Sequence, residues 1–99
     1  MRQENLSGMD ISQIRSMAKQ MDSKADEIRG LVDGLSGQVE AASWAGADRE
    51  RFVGEWRNRH ASALRSVADN LDLAARRARE QADAQERASR AGGGGGGSW

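Results

Sequence analysis

The stretch Ser43-Trp44-Ala45-Gly46-Ala47-Asp48 lies near the middle of the chain and separates two long segments of helical periodicity. Glycine lacks a Cβ atom and is therefore common where a helix ends. Asp48 follows, and negative charge is favoured near the N-terminus of a helix. The stretch predicts a tight corner between two helices, built around Trp44 and Gly46.

The segment before the corner predicts one long amphipathic helix. From Ile11 onward its apolar residues recur in alternating steps of three and four, which is a heptad pattern. Asp10 precedes this pattern as an N-cap, and Gln13 completes a capping box. We therefore expect a flexible N-terminus over residues 1–9 and a helix over residues 11–42.

The segment after the corner predicts a second helix of similar length. Its apolar residues recur at helical spacing, but one additional step of four interrupts the heptads, as in a stutter. Six consecutive glycines near the end are too costly for a helix and predict a flexible coil. The expected boundaries are a hairpin over residues 10–91, with its corner at 43–48 and its second helix at 49–90, and a Gly-rich tail at 92–99.

These features predict an all-α protein, an antiparallel helix-turn-helix hairpin. The apolar stripes are wider than one neighbouring helix can cover, and exposed apolar surface of that extent marks a protein interface. We therefore expect the hairpin to dimerise into a four-helix bundle. The residues expected to pack within the hairpin or the dimer are Ile14, Met21, Ile28, Val32, Leu35, Phe52, Trp56, Leu64, Val67 and Leu71.

The composition argues against an enzyme. The chain has no cysteine, and its single histidine, His60, has no second ligand or acid at a catalytic or metal-binding spacing. The glycine run neither follows a strand nor opens a helix, so it does not resemble a phosphate-binding loop. We expect no catalytic residue, no metal and no cofactor.

Nucleic acid and membrane partners are also disfavoured. Fifteen basic and fifteen acidic residues leave a formal net charge of zero. Arginines are dense between residues 76 and 90, but acidic residues four positions away favour a solvated, ion-paired helix face. No segment approaches the roughly 20 apolar residues that cross a bilayer. We expect neither nucleic-acid binding nor direct membrane insertion.

The motif Trp44-Ala45-Gly46-Ala47-Asp48, followed by Phe52 and Trp56, resembles the WXG family of small, ESAT-like secreted bacterial proteins. The resemblance also covers the chain length, the flanking helices and the lack of cysteine. It implies a homodimer, or a heterodimer with a paralogous WXG protein. It further implies export by a type VII (ESX-like) secretion system and recognition by that system's membrane ATPase, with Trp44 and Gly46 as the secretion and turn motif.

The expected route is secretion without a cleaved signal peptide, because residues 1–7 lack an apolar leader segment. Export signals of the family typically include a tyrosine followed four residues later by an acid, and this chain has no tyrosine. Either a partner supplies that part of the signal, or Trp99 replaces the tyrosine. The alternative function is a cytoplasmic helical adaptor that docks onto another coiled coil and is not exported.

Overall fold

The structure is a computed structural model that describes residues 7–43 and 46–97. Trp44, Ala45, Trp99 and most of the predicted flexible N-terminus lie outside the described residues. Helix α1 spans Ser7–Ala41, α2 spans Gly46–Glu55, a π-helix spans Trp56–Ala61, and α3 spans Ser62–Gly97. The described part contains no strand. The predicted all-α helical hairpin is confirmed.

The second arm of the hairpin is one continuous helical run made of α2, the π-helix and α3. Glu55 and Ser62 flank the π-helix, and both have right-handed helical backbone angles. The π-helix therefore connects α2 to α3 without a break in helical backbone conformation.

Helix α1 begins earlier, and the second arm ends later, than the sequence predicts. Helix α1 begins at Ser7 rather than Ile11, and α3 continues to Gly97 although a coil was expected from Gly92 onward. No proline stands in the way of either extension. Adding a residue to an existing helix forms one hydrogen bond without a new nucleus, so a formed helix extends more readily than its terminal residues would fold alone.

The chain divides into two compact units, each containing a segment of both arms. One unit contains α1 up to Asp22 together with α3 from Leu73, and the other contains Ser23–Asp72. Ion pairs run between the arms in each unit. In both, the earlier a residue lies in α1, the later its partner lies in the second arm. The two arms are therefore antiparallel within each unit.

Small residues, mostly alanine, fill the contact between the arms. Among the residues whose burial is described, only alanines and valines are buried, and most of them are completely inaccessible. They recur at intervals of seven along each arm, except for an interval of eight between Val53 and Ala61. This buried seam consists of Ala18, Ala25 and Val32 on α1, and of Val53, Ala61, Ala68, Ala75 and Ala82 on the second arm.

An alanine seam has two energetic consequences. Its short side chains allow two helix backbones to approach closely, which brings many atoms within dispersion range. It also buries little area, since the burial of apolar surface stabilises by only about 25 cal/mol per Å². The larger apolar residues consequently lie beside the seam rather than within it.

The π-helix explains the irregular spacing that resembles a stutter. Val53 and Ala61 are buried neighbours on the seam but are eight residues apart, whereas all later seam residues are seven apart. A π-helix has hydrogen bonds between residues five apart and accommodates one additional residue in a turn. The turn Trp56–Ala61 therefore absorbs the extra residue and keeps both α2 and α3 facing α1.

Candidate interaction surface

The corner contains a backbone conformation that favours glycine. Gly46 opens α2 with a φ of +42°. A side chain at such a residue would crowd the following carbonyl oxygen, which glycine avoids. Beside it, Arg49 donates to the Glu40 carbonyl oxygen at 2.9 Å, and Arg57 donates to the Glu40 carboxylate at 2.8 and 3.1 Å. Two arginines of the second arm thus hold the end of α1 close to the corner.

Trp56 links the arms within the second unit. Its indole N–H donates to the Ser36 hydroxyl oxygen over 2.8 Å, and its ring is half-buried. The His60 ring lies 6.2 Å from the Trp56 ring, measured between centroids, at an angle of 43°. His60 itself is exposed, and the neighbouring Ala61 occupies the buried position. The histidine therefore lies beside the aromatic ring and outside the seam.

Ion pairs line one side of the seam in the second unit. Arg29 donates to Asp69 at 2.8 Å and to Asp72 at 2.7 Å, and Asp33 accepts from Arg65 at 3.1 Å. The two aspartates that accept from Arg29 raise the pKa of its guanidinium. All of these contacts join α1 to α3.

The same kind of contact occurs in the first unit. Arg15 donates to Glu86 at 2.6 Å and to Asp83 at 2.8 Å, and Arg79 donates to Asp22. The hydrogen bond from Arg15 lowers the pKa of the Glu86 carboxyl, and the reciprocal interaction raises that of Arg15. The sequence had suggested pairs along α3 itself, such as Arg79 with Asp83. Instead, both of these residues bond to α1, because the antiparallel arm brings an opposite charge within reach.

A heptad signal in the sequence could have revealed these pairs. On α1 the charge alternates at intervals of seven through Arg15, Asp22 and Arg29. On the second arm it alternates in the same way through Arg65, Asp72, Arg79 and Glu86. Most of these residues follow a seam residue by four positions, which in a helix is the adjacent position on one side. We call this the ionic side.

The opposite side of the seam is mostly apolar. Residues three after or one before a seam residue lie to the other side of it, since each residue advances by about 100° around the helix. In the second unit these positions hold Ile28, Leu31, Leu35, Phe52, Leu64, Val67 and Leu71, together with Lys24, Trp56 and His60. In the first unit they include Met17, Met21, Ala74 and Ala78, and Ile14 lies one heptad before Met21. We call this the apolar side.

Several large side chains on the apolar side are strongly exposed. Leu31 is 59% accessible, Val67 47%, Met17 44% and Phe52 42%. In each case the residue directly precedes a buried alanine or valine of the seam. The hairpin therefore leaves the edge of its own core accessible on this side.

The ten residues predicted to pack fall into three groups. Val32 is fully buried in the seam, while Phe52 and Val67 are exposed on the apolar side. The other seven are half-buried and belong to the apolar side, and Trp56 is also bonded to Ser36. The half-buried residues are Ile14, Met21, Ile28, Leu35, Trp56, Leu64 and Leu71. The buried Ala61 of the π-helix and the buried Ala68 and Ala75 of α3 were not among the predicted packing residues, because a large side chain was expected at each contact.

The described side chains include no metal-binding arrangement. Across the part of the chain that the structure describes, no group of three or more histidine, aspartate or glutamate side chains is placed to hold a metal ion. Among the described helices, none combines the length and the apolar character that crossing a membrane requires.

These features define a class of protein, a small helical hairpin with an ionic side, an apolar side and a Gly-containing corner. A family model, WXG100 (proteins of 100 residues with WXG), matches residues 8–88. The chain belongs to this family, whose members are small helical proteins of type VII secretion, as the motif at Trp44 and Gly46 had indicated. Comparison with curated proteins and with solved structures gives no significant match.

Proposed function

We propose that the protein is a non-enzymatic, dimerising substrate of a type VII secretion system, or the co-secreted partner of one. Family membership supports the secretion system. The apolar side supports the dimer, because large side chains such as Leu31 and Val67 are about half accessible while the internal contact is made by alanines. A second hairpin packed on this side completes a four-helix bundle.

The apolar side is the single observation that carries the dimer. Each arm has only one helical neighbour within a hairpin. Its ionic side makes contacts to that neighbour, while large side chains on its apolar side, such as Leu31 and Val67, remain about half accessible. Covering a large aliphatic side chain stabilises by about 1.5–3 kcal/mol. Several such side chains on each copy provide the driving force that an alanine seam lacks.

The dimer is tested by size-exclusion chromatography with light scattering and by sedimentation across a concentration series. Leu31→Ser should weaken association at least about tenfold, since it removes burial from both copies. Leu73→Ser is the matched control, because Leu73 is also exposed but lies two residues before Ala75, outside the apolar side. A folded wild-type monomer at micromolar concentration would contradict the dimer.

Export is tested with Trp44→Ala in a host that carries the secretion system. We expect less chain, or less of its partner, in the culture medium, with little change in the helical circular dichroism of the purified protein. Deleting the secretion ATPase should abolish export of the wild type. If the wild type remains in the cytoplasm whether or not the ATPase is present, the adaptor function replaces this proposal.

A further inference from the structure

The apolar side differs in chemical character between the two units. In the second unit its large apolar side chains come from both arms and are aliphatic or aromatic, as at Leu31, Val67 and Phe52. In the first unit the second arm contributes only small or polar side chains beside the described seam, namely Ala74, Ala78, Gln81 and Gln85. The large apolar side chains there come from α1 and include two methionines, Met17 and Met21.

The two methionines are neighbours on one face of α1. They are four positions apart, a spacing that places side chains one above the other on a helix. Met17 directly precedes the buried Ala18 and is 44% accessible, and Met21 follows Ala18 by three positions and is half-buried. Solvent therefore reaches both side chains in the hairpin.

A methionine is the apolar side chain that an oxidant converts reversibly into a polar one. The chain has no cysteine, so its methionines hold all of its sulfur. The thioether sulfur bonds to one oxygen of hydrogen peroxide as the O–O bond breaks, and the departing hydroxide takes the proton of the transferred oxygen and leaves as water. The sulfur loses two electrons and the peroxide gains them. Methionine sulfoxide reductases reverse the change.

The contact between the arms contains no oxidisable group beside these methionines. The seam of the first unit consists of Ala18, Ala75 and Ala82, which are completely inaccessible. Oxidation at Met17 and Met21 would therefore make the apolar side polar and leave the alanine contact of the hairpin as it is.

We propose that Met17 and Met21 form a reversible oxidation site through which peroxide controls the pairing of this hairpin. The inference rests on the proposed dimer and names its regulation. A sulfoxide at each position places a polar oxygen where pairing buries apolar surface, so it opposes association. Pairing in turn covers both sulfurs. The unpaired chain is thus oxidised first, and its oxidation keeps it unpaired.

Peroxide treatment of the purified chain tests the site directly. Peptide mass mapping measures sulfoxide at each methionine, and sedimentation measures the dissociation constant before oxidation, after it, and after treatment with the two methionine sulfoxide reductases. The dissociation constant should rise at least about tenfold on oxidation and return on reduction, because each copy loses the burial of two large side chains. The helical circular dichroism should not change.

Leucine variants assign the effect to these two residues. Met17→Leu and Met21→Leu in one chain keep an apolar side chain of similar volume without sulfur, a change that cores tolerate well. This double variant should pair like the wild type and show no response to peroxide. Met9→Leu is the control, since Met9 is neither three positions after nor one before a residue of the seam. It should retain the full response.

Protection by pairing gives a second readout. Met17 should be oxidised more slowly in wild-type protein well above the dissociation constant than well below it, because the dimer covers its sulfur. An oxidation rate that does not depend on protein concentration would contradict this protection.

The outcomes separate the oxidation site from the dimer. A wild-type dimer whose affinity is unchanged after both sulfurs are oxidised would overturn the site and leave the dimer intact. A response that persists in the double leucine variant would also overturn it, as would loss of the helices on oxidation. A folded wild-type monomer before any peroxide is added would overturn the dimer and the site together.

Discussion

Gly46 is the residue at which backbone conformation and family motif coincide. Its φ of +42° lies in the left-handed region, where any side chain is strained. The neighbouring Trp44 belongs to the same motif but lies outside the described residues, so its role in export stays a prediction. The backbone conformation at Gly46 therefore explains why the motif has a glycine at this position, independently of any recognition by the secretion system.

Replacing Gly46 with alanine should destabilise the fold by about 1–2 kcal/mol, the usual cost of a left-handed conformation for a residue with a Cβ atom. Gly30→Ala is the control, because Gly30 is helical and an added Cβ atom would meet nothing within 4 Å. It should stabilise the protein by about 0.5–1 kcal/mol. Urea unfolding followed by circular dichroism measures both, and equal effects of the two substitutions would contradict the role of Gly46.

Trp56 contributes through a single hydrogen bond across the arms. Trp56→Phe removes the indole N–H that bonds to Ser36 and should cost about 0.5–1.5 kcal/mol beyond the change in ring size. Ser36→Ala removes the same bond from the other side. In a double-mutant cycle the double variant should lose less stability than the sum of the two single losses, because both substitutions remove the same bond. Full additivity would show that the bond contributes nothing.

The π-helix is the element that accommodates the one irregular interval of the seam. Ala61 follows Val53 at a spacing of eight, whereas the heptad repeat of an α-helical seam has a spacing of seven. Irregular spacing of this kind is read from sequence as a stutter, which can be absorbed by gradual unwinding. Here a single π turn absorbs it locally.

Deleting Asn58, which is exposed within the π-helix, should convert that turn into an α-helix and restore a spacing of seven. We expect a folded protein with helical content and melting temperature at or above those of the wild type, because a π turn is the rarer geometry. Deleting Asn70 in α3 is the control. It shortens the spacing from Ala68 to Ala75 from seven to six, turns the later alanines out of the seam, and should sharply lower the melting temperature.

In the whole hairpin, the alternation of charge on the ionic side favours one antiparallel register. Shifting one arm by a heptad would bring Arg79 opposite an arginine of α1, because the signs alternate at intervals of seven on both arms. Alanine seams by themselves specify register weakly, since every heptad presents the same methyl group. The charges therefore distinguish the observed register from a register shifted by one heptad, which the alanine seam alone does not.

Charge reversal tests this register. Asp22→Arg places two arginines together and should lower the melting temperature by roughly 4–8 °C if the reversal costs about 1 kcal/mol. Adding Arg79→Asp in the same chain should recover most of that loss. Failure of the second substitution to restore the melting temperature would show that the contact between the two residues does not contribute.

Stability should also fall in acid. The pKa of Glu86 is lowered from 4.5 in the folded chain by its bond from Arg15, so the folded state binds this proton less readily than the unfolded state. Its contribution is complete above the unfolded pKa and is lost as the pH falls from there through the lowered pKa of the folded state. Glu86→Gln should lower the melting temperature at pH 7 and flatten its decline over that range.

Much of this architecture follows from local sequence alone. The apolar repeat predicts helices on both sides of the corner because helix periodicity is a property of consecutive residues. The Trp-x-Gly motif predicts the corner and the family in the same way. Helix ends are less predictable, as α3 shows by continuing to Gly97, because extension of a formed helix depends on the helix already present.

The candidate interaction surface depends on tertiary packing. Periodicity shows that apolar and small residues share one stripe of α1, but it does not show which of them meets the second arm. Alanines make that contact because only short side chains let the backbones approach closely, and larger side chains such as Leu31 are left beside them. The antiparallel arm then draws Arg15 and Arg29 to partners on α3, a choice that requires residues distant in sequence to lie side by side.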